Sequence, residues 1–404
     1  MNISRFISNR ISDTGTQSFT ASVTKIAIIS IAIGLAIMIV SFAILEGFRN
    51  QIQTKIFSFA AHLQVKKYDT NNSFEGEPIS SRLVESDLRA IPEIKTMQPY
   101  AFKTAIAKAG DEVLGLILKG VDRNYDLSAM RENMVAGKTI TFSDSAASND
   151  IMVSQQIADK LKLTIGDKAT FYFIQNPPRA RRFTVAGIYK TGLEEFDQAY
   201  VIGDMQHIRD LNKWADTLAG GYEIVLKDFN QIDTVANVIF DKMHYDLQLE
   251  KITDQYAQLF DWMKLLKKNV IIFLVLIIFV ATFNMVSTVF IMILERTNMI
   301  GLLKAIGGTD QQIRSIFFFR GLNLALKGIF WGNVIALSFC FIQDRFKIIP
   351  LDPENYYMDT VPIFWNVPVF LLLNLITLVL TMLAILIPTF MITRIRPVNA
   401  IKFD

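Results

Sequence analysis

Four stretches of the chain stay apolar for long enough to cross a bilayer as helices. Residues 26–45 run without a charge, about 30 Å of helix against a hydrocarbon core of about that thickness. Residues 270–294 and 367–392 are equally free of charge. The third block begins with the apolar run at 316–319, continues over 321–342 and carries Lys327, which makes it the least regular of the four. Read as spans, they divide the chain into a leading segment 1–25, a helix at 26–45 and a long insertion at 46–268. Helices at 270–294, 316–342 and 367–392 follow, with connections at 295–312 and 343–366 and a tail at 393–404. Pro388 is expected to kink the last helix near its end.

The insertion has the shorter periods of a mixed α/β domain. Ser81 to Glu85 reads as a capped helix start, 101–108 and 113–119 as strands, and 154–161 as a helix. Strands follow at 169–174, 183–189 and 222–227, with an amphipathic helix at 232–243. At its far end Ile252, Tyr256, Leu259, Met263, Leu266 and Val270 step by 4, 3, 4, 3, 4, a heptad seam running into the second span. Phe48, Ile52, Ile56, Phe59 and Leu63 make a matching stripe after the first span. The two stripes predict a pair of stalk helices that carry the domain. The alternative is two ordinary amphipathic helices on its core.

The connection 295–312 is also patterned. Met299, Ile300, Leu302, Leu303 and Ile306 make one face of a short helix, and Gly307-Gly308 can end it. Thr309 and Gln312 fit a capping box for the next helix, with Asp310 favourably placed near its dipole. Such a helix suits docking into a partner's groove, and it equally suits lying on lipid. Inside the spans, Ser30 with Gly34 and Gly328 with Gly332 are small pairs that let helices approach closely. Gly328 and Gly332 read as packing within the chain, Ser30 and Gly34 as a dimer seam. Asn284 is a polar group at depth, and with Ser30 and Gly34 it is a candidate for lining a substrate path.

Composition narrows the function. Apolar residues make up 51% and charged ones 20%, which excludes a purely soluble enzyme and a disordered chain. The net charge of +3 is small and dispersed, so nucleic acid is not an expected partner. One cysteine, Cys340, makes no intramolecular disulfide, and His62, His207 and His244 are too scattered for a metal site. Gly137-Lys138-Thr139 looks like the end of a phosphate-binding loop, but Glu132 stands where its first glycine belongs. The chain is therefore expected to bind no cofactor and to hydrolyse no ATP.

Basic residues give the orientation. Arg5, Arg10 and Lys25 precede the first span, Arg296, Lys304, Arg314 and Arg320 lie around the second connection, and Arg394, Arg396 and Lys402 are in the tail. Both termini are expected in the cytoplasm and 46–268 outside it. Lys264, Lys267 and Lys268 run against this assignment, as large translocated domains often allow. The first span is too long for a cleavable signal and no A-x-A site follows it, so it reads as a retained anchor.

Residues 295–307 resemble the E-x-x-x-E-I-G-x-L-K-A-I-G signature of FtsX-like permeases of ABC transporters, a superfamily that includes the MacB efflux pumps. The tail Arg394-Ile395-Arg396-Pro397-Val398-Asn399-Ala400-Ile401 resembles its closing R-x-x-P-x-x-A-L pattern. Lys119-Gly120-Val121-Asp122, the run from Ile157-Ala158 to Gly166-Asp167, and Phe183-Thr184-Val185-Ala186-Gly187-Ile188 are similar, in order, to lipoprotein-releasing permeases of the Lol type. The resemblance implies an α-helical membrane protein with four transmembrane helices and a large mixed α/β periplasmic domain inserted between helices 1 and 2, in the cell inner membrane. It implies a cytoplasmic ABC ATPase dimer as partner, with ATP and magnesium held there. It also implies a second permease copy or paralogue, a lipoprotein substrate and a periplasmic lipoprotein chaperone. Glu295, Arg296, Ile300, Gly301, Leu303, Lys304, Ala305 and Gly307 would couple to the ATPase. The stalk seam would be Phe48, Ile52, Ile56, Ile252, Tyr256, Leu259, Met263 and Leu266. Two departures stand out: Met299 replaces an acidic residue, and the segment 173–182 is shorter than the chaperone-recruiting hairpin of some relatives. Within it Arg179, Arg181 and Arg182 are candidates for meeting an acidic chaperone surface. A MacB-like efflux pump and an FtsX-like regulator of a wall hydrolase are the alternatives.

Overall fold

The computed structural model describes residues 19–69, 74–142, 146–352 and 356–394. Arg5, Arg10, Arg396 and Lys402, and the tail motif after Arg394, lie outside these. The chain divides into two units, Met1–Asn50 with Met263–Leu351 and Thr360–Asp404, and Gln51–Trp262 with Asp352–Asp359.

Among the described residues, five helices lie wholly or mostly in the first unit: α1 (Phe19–Phe59), α2 (Ala257–Glu295), α3 (Thr297–Ala305), α4 (Asp310–Phe346) and α5 (Val367–Thr389). All but α3 are long and apolar enough to cross a membrane. Both α1 and α2 extend unbroken beyond the expected spans, into residues of the second unit. The expected capping box opens α4, with the Thr309 hydroxyl accepting from the Gln312 N–H and the Gln312 side chain accepting from the Thr309 N–H. Asn366 caps α5 in the same sense, accepting from the Val369 N–H at 3.2 Å. After Pro388 the chain tightens into a 3-10 turn at Phe390–Arg394.

Small residues and large apolar ones divide the packing of this unit. Ile31, Met285, Ile300, Phe317 and Ile385, from α1 to α5, share one buried cluster. Gly328 and Gly332 on α4 let α1 come close: a Cβ on Gly328 would stand 2.7 Å from Ile31, and one on Gly332 2.9 Å from the Ala32 carbonyl. That pair packs within the chain, as expected. So do Ser30 and Gly34, which the sequence reading had put at a dimer seam. Ser30 accepts from Asn284 of α2 at 2.7 Å, and a Cβ on Gly34 would meet Ile277 at 3.3 Å. Asn333 and Asn374 exchange hydrogen bonds of 2.6 and 3.0 Å between α4 and α5, satisfying two amides at depth.

Among the described residues, the second unit has twelve strands: β1 (Leu63–Lys67), β2 (Ile79–Ser80), β3 (Ile94–Ala109), β4 (Glu112–Val121), β5 (Met134–Gly137), β6 (Asp150–Ser154), β7 (Lys168–Phe173), β8 (Arg179–Tyr189), β9 (Tyr200–Asp204), β10 (Leu218–Ala219), β11 (Gly221–Leu226) and β12 (Leu247–Lys251). Strands β3, β4, β9, β6, β8 and β7 pair in a ring, because β7 bridges β3 and β8. Phe171, Phe173, Phe183 and Tyr189 are fully buried core residues of these strands. The 16-residue β3 belongs to two structures at once: its second half pairs with β4 and β7, and its first half carries β11, β1 and β12 as an open extension. Helices at Gln155–Leu161 and Ile232–Lys242 fall where the periodicity puts them, and the Ser154 hydroxyl caps the former by accepting from the Ile157 N–H.

Three expectations fail in this unit: the helix at Ser81–Leu88 forms without the expected side-chain cap, and both stripes break. Leu63, the last member of the first stripe, is not helical: α1 ends at Phe59 and Leu63 begins β1. The seam from Ile252 to Val270 is not one helix either. Ile252–Gln255 is a single turn, Tyr256 leaves helical geometry at φ −111° and ψ 42°, and α2 begins at Ala257. Sheet pairing overrides the helical period at Leu63, since β1 and β12 are antiparallel neighbours over five residue pairs and Leu63 faces Lys251.

Candidate functional site

Among the described residues no three His, Cys, Asp or Glu side chains gather as a metal site. The sequence points instead to the short helix α3 and to the two places where α1 and α2 join the α/β unit.

Around α3 the structure separates the predicted coupling residues into two faces. Ile300 and Gly301 are buried, and Ile300 packs in one cluster with Ile313, Phe317 and Ile392. Leu303 packs partly against the same cluster. The Lys304 ammonium donates to the Ile392 carbonyl at 2.7 Å and pairs with Asp310 at 2.8 Å, so it ties α3 to the turn after α5 and to the start of α4. Arg296 is half-buried at the N-cap of α3. The outer face consists of Glu295, Asn298, Leu302, Ala305, Ile306 and Gly307, with Leu302 58% and Ile306 74% exposed. Of the expected coupling residues, Gly301 faces inward and Ala305 outward. The sequence named neither Leu302 nor Ile306 as a coupling residue, although their four-residue spacing was visible.

At the other end of α1, Ile52, Ile56 and Phe59 are buried and Phe48 is half-buried. The helix stops on a charged cluster. Lys119 of β4, 2% exposed, donates to the Phe59 carbonyl at 2.7 Å and to Glu223 of β11 at 2.8 Å. Its ammonium also stands over the Phe59 and Tyr125 rings, 4.8 and 5.5 Å from their centres. Tyr125 donates to the second oxygen of Glu223, and Gln64 of β1 donates to the first at 3.2 Å. Burial, then the Glu223 charge, holds the Tyr125 phenol well above its ordinary pKa and keeps it a donor. A carbonyl among the last four of a helix has no intrahelical partner, so a cation there answers both the bond and the dipole. The sequence reading missed this cluster. Its signal was one lysine in the apolar run Leu114–Val121 and one glutamate in Tyr222–Leu226, of opposite sign on two buried strands.

The root of α2 is held differently. Ile252 is buried and its N–H donates to the His62 carbonyl at 3.0 Å. Tyr256 and Leu259 are half-buried, and with Ile56, Leu193, Phe196 and Tyr357 they line a cavity of about 130 Å³. Ring contacts cross between the roots: Phe59 with Phe196 at 4.4 Å and Phe196 with Tyr256 at 5.4 Å, then Phe57 with Phe229 at 4.7 Å and Phe229 with Phe260 at 5.9 Å. Further along α2, Met263 is buried and Leu266 half-buried.

The remaining candidates disperse. Arg179 and Arg181 stand opposite the buried Phe173 and Phe171, while Arg182 stands opposite Thr170 and points to the other side of the strand pair. The three arginines therefore do not form one patch. Ser30, Gly34 and Asn284 are engaged between α1 and α2.

Residues 24–239 match the MacB-like periplasmic core domain, and residues 271–397 match the FtsX-like permease C-terminal domain. This chain belongs to the MacB/FtsX-like permease family. It is a multi-pass membrane protein with a MacB-like periplasmic domain between its first and second spans. Its relatives include the lipoprotein-releasing system transmembrane protein LolC of Xylella fastidiosa (strain 9a5c), 22% identical over 96% of this chain and 95% of that one. The LolC of Neisseria meningitidis serogroup B is 23% identical over 96% of both chains. The LolE of Haemophilus influenzae is 23% identical over 95% of this permease and 94% of its own length.

Proposed function

We propose that this permease is the membrane subunit of an ATP-driven lipoprotein-release transporter. The observation that carries the reading is likeness along nearly the whole chain to lipoprotein-releasing transmembrane proteins, through both the spans and the inserted domain. The partners are a cytoplasmic ABC ATPase dimer that holds ATP and magnesium, a second permease copy or paralogue, the lipoprotein, and a periplasmic lipoprotein chaperone. This chain contributes no hydrolytic site. Its termini and α3 lie in the cytoplasm, on the reading of its basic residues. The exposed pair Leu302 and Ile306 supports α3 as the docking element, with Ile300 and Gly301 holding it to its own bundle. Arg182 remains the outward arginine available to an acidic chaperone surface.

Proteoliposomes carrying the permease, its ATPase and a lipoprotein test this directly when a soluble acceptor is added. ATP should release lipoprotein to the acceptor, and Leu302→Asp should abolish ATPase co-purification while the permease still inserts. Wild type that hydrolyses ATP and frees no lipoprotein would replace this reading with an efflux or wall-hydrolase role.

A further inference from the structure

The cluster at the end of α1 draws one side chain from each of four neighbouring strands. Gln64 comes from β1, Glu223 from β11, Tyr100 from β3 and Lys119 from β4, in the order in which those strands lie in the sheet. Gln64 and Glu223 are direct cross-strand partners, and Tyr100 donates to Gln64 at 3.4 Å. Everything converges on the Phe59 carbonyl through one ammonium. A buried ion pair is a poor way to gain stability, because a well-packed apolar pair of the same volume serves as well or better. What an apolar contact lacks is direction. A charge-assisted hydrogen bond is short and fixed in angle, so it holds a helix end at one point of a sheet where rings alone would let it slide. The helix it holds is continuous for 41 residues, about 60 Å.

We propose that Lys119 and Glu223 are positioning residues that fasten the end of α1 to the sheet, so that force arriving along α1 moves the α/β domain. The proposal rests on the lipoprotein-release reading for its consequence, but not for the position of the helix end. Lys119 bridges β4 and β11, the strands on either side of β3, and β3 in turn belongs to both the ring and the open extension. A pull on Phe59 is thus shared by both parts of the domain. The Ser58 hydroxyl, one residue away, accepts from Asn133 at 2.6 Å and offers a place to read and to replace the fastening.

The test uses the full complex in proteoliposomes with Lys119→Met and Glu223→Gln combined, which removes both charges and keeps an amide for Tyr125 and Gln64. Hydrolysis of ATP should stay within about twofold of wild type, and lipoprotein released per ATP should fall about tenfold, the size of one lost charge-assisted hydrogen bond. A second readout needs no cargo: Ser58→Cys with Asn133→Cys, in a Cys340→Ala background, joined by a short reducible bis-thiol reagent. Cross-linking should be several-fold slower in the charge-free variant, and the completed link should restore its release. A variant that releases normally, or that loses release while cross-linking at the wild-type rate, overturns the proposal. If wild type releases nothing, the lipoprotein reading fails and the cross-linking rates still judge the fastening. If the variant loses its protease-resistant outer domain, the wild type decides. Linking Ser58→Cys to Asn133→Cys should leave its release unchanged, and a loss on linking would show that the helix end must slip.

Discussion

Near Phe59, α1 ends with Ile52 and Ile56 fully buried and its last carbonyl held by Lys119. Near Tyr256, α2 begins after a break, with Tyr256 and Leu259 half-buried. The strands from which the two helices spring are adjacent, β1 and β12, and the same aromatic rings touch both. The two roots thus share a foundation and differ in fixity. On the proposed function, this difference would suit α1 to carry force and the turn at Tyr256 to absorb a change of angle.

The strongest way to break the comparison is to truncate the same kind of side chain at each root. Ile56→Ala removes a side chain with no exposure, and should cost about 2–5 kcal/mol. Leu259→Ala, half-buried, should cost about 0.5–1 kcal/mol. Urea unfolding of the full chain in detergent, followed by hydrogen exchange in the α/β unit, measures both. Equal costs would remove the asymmetry.

A smaller effect sharpens it through pH. His62 lies between the roots: its Nδ1 accepts from the Leu226 N–H at 3.0 Å and its carbonyl accepts from Ile252. Burial, then the Lys95 charge, lowers its pKa from 6.5 to about 4. The unfolded chain therefore binds the proton first as pH falls, and stability contributed by the neutral ring is lost from about pH 6.5 down to about 4. Between pH 7 and 5.5 the loss should be about 1 kcal/mol, and His62→Asn, which keeps an acceptor, should flatten that part of the pH profile. An unchanged slope in the variant would place the acid sensitivity elsewhere.

Local pattern carried much of this architecture. The four apolar blocks, the Thr309–Gln312 box and the helix at Gln155–Leu161 are decided within a few residues, and they stand where the sequence puts them. The stripe at Leu63 misled because a 3–4 spacing says nothing about a strand pairing formed with Lys251, far along the chain. The α3 face was misassigned because Ile300 and Leu302 look alike until Ile392 is packed against one of them. Lys119 and Glu223 lie 104 residues apart, so no window along the chain contains both.

The asymmetry of the two roots is tested most directly by hydrogen exchange on the assembled complex, with and without a non-hydrolysable ATP analogue. Amides at 56–60 should stay equally protected in both states, while those at 254–260 change. Protection that shifts at 56–60 and stays fixed at 254–260 would contradict it.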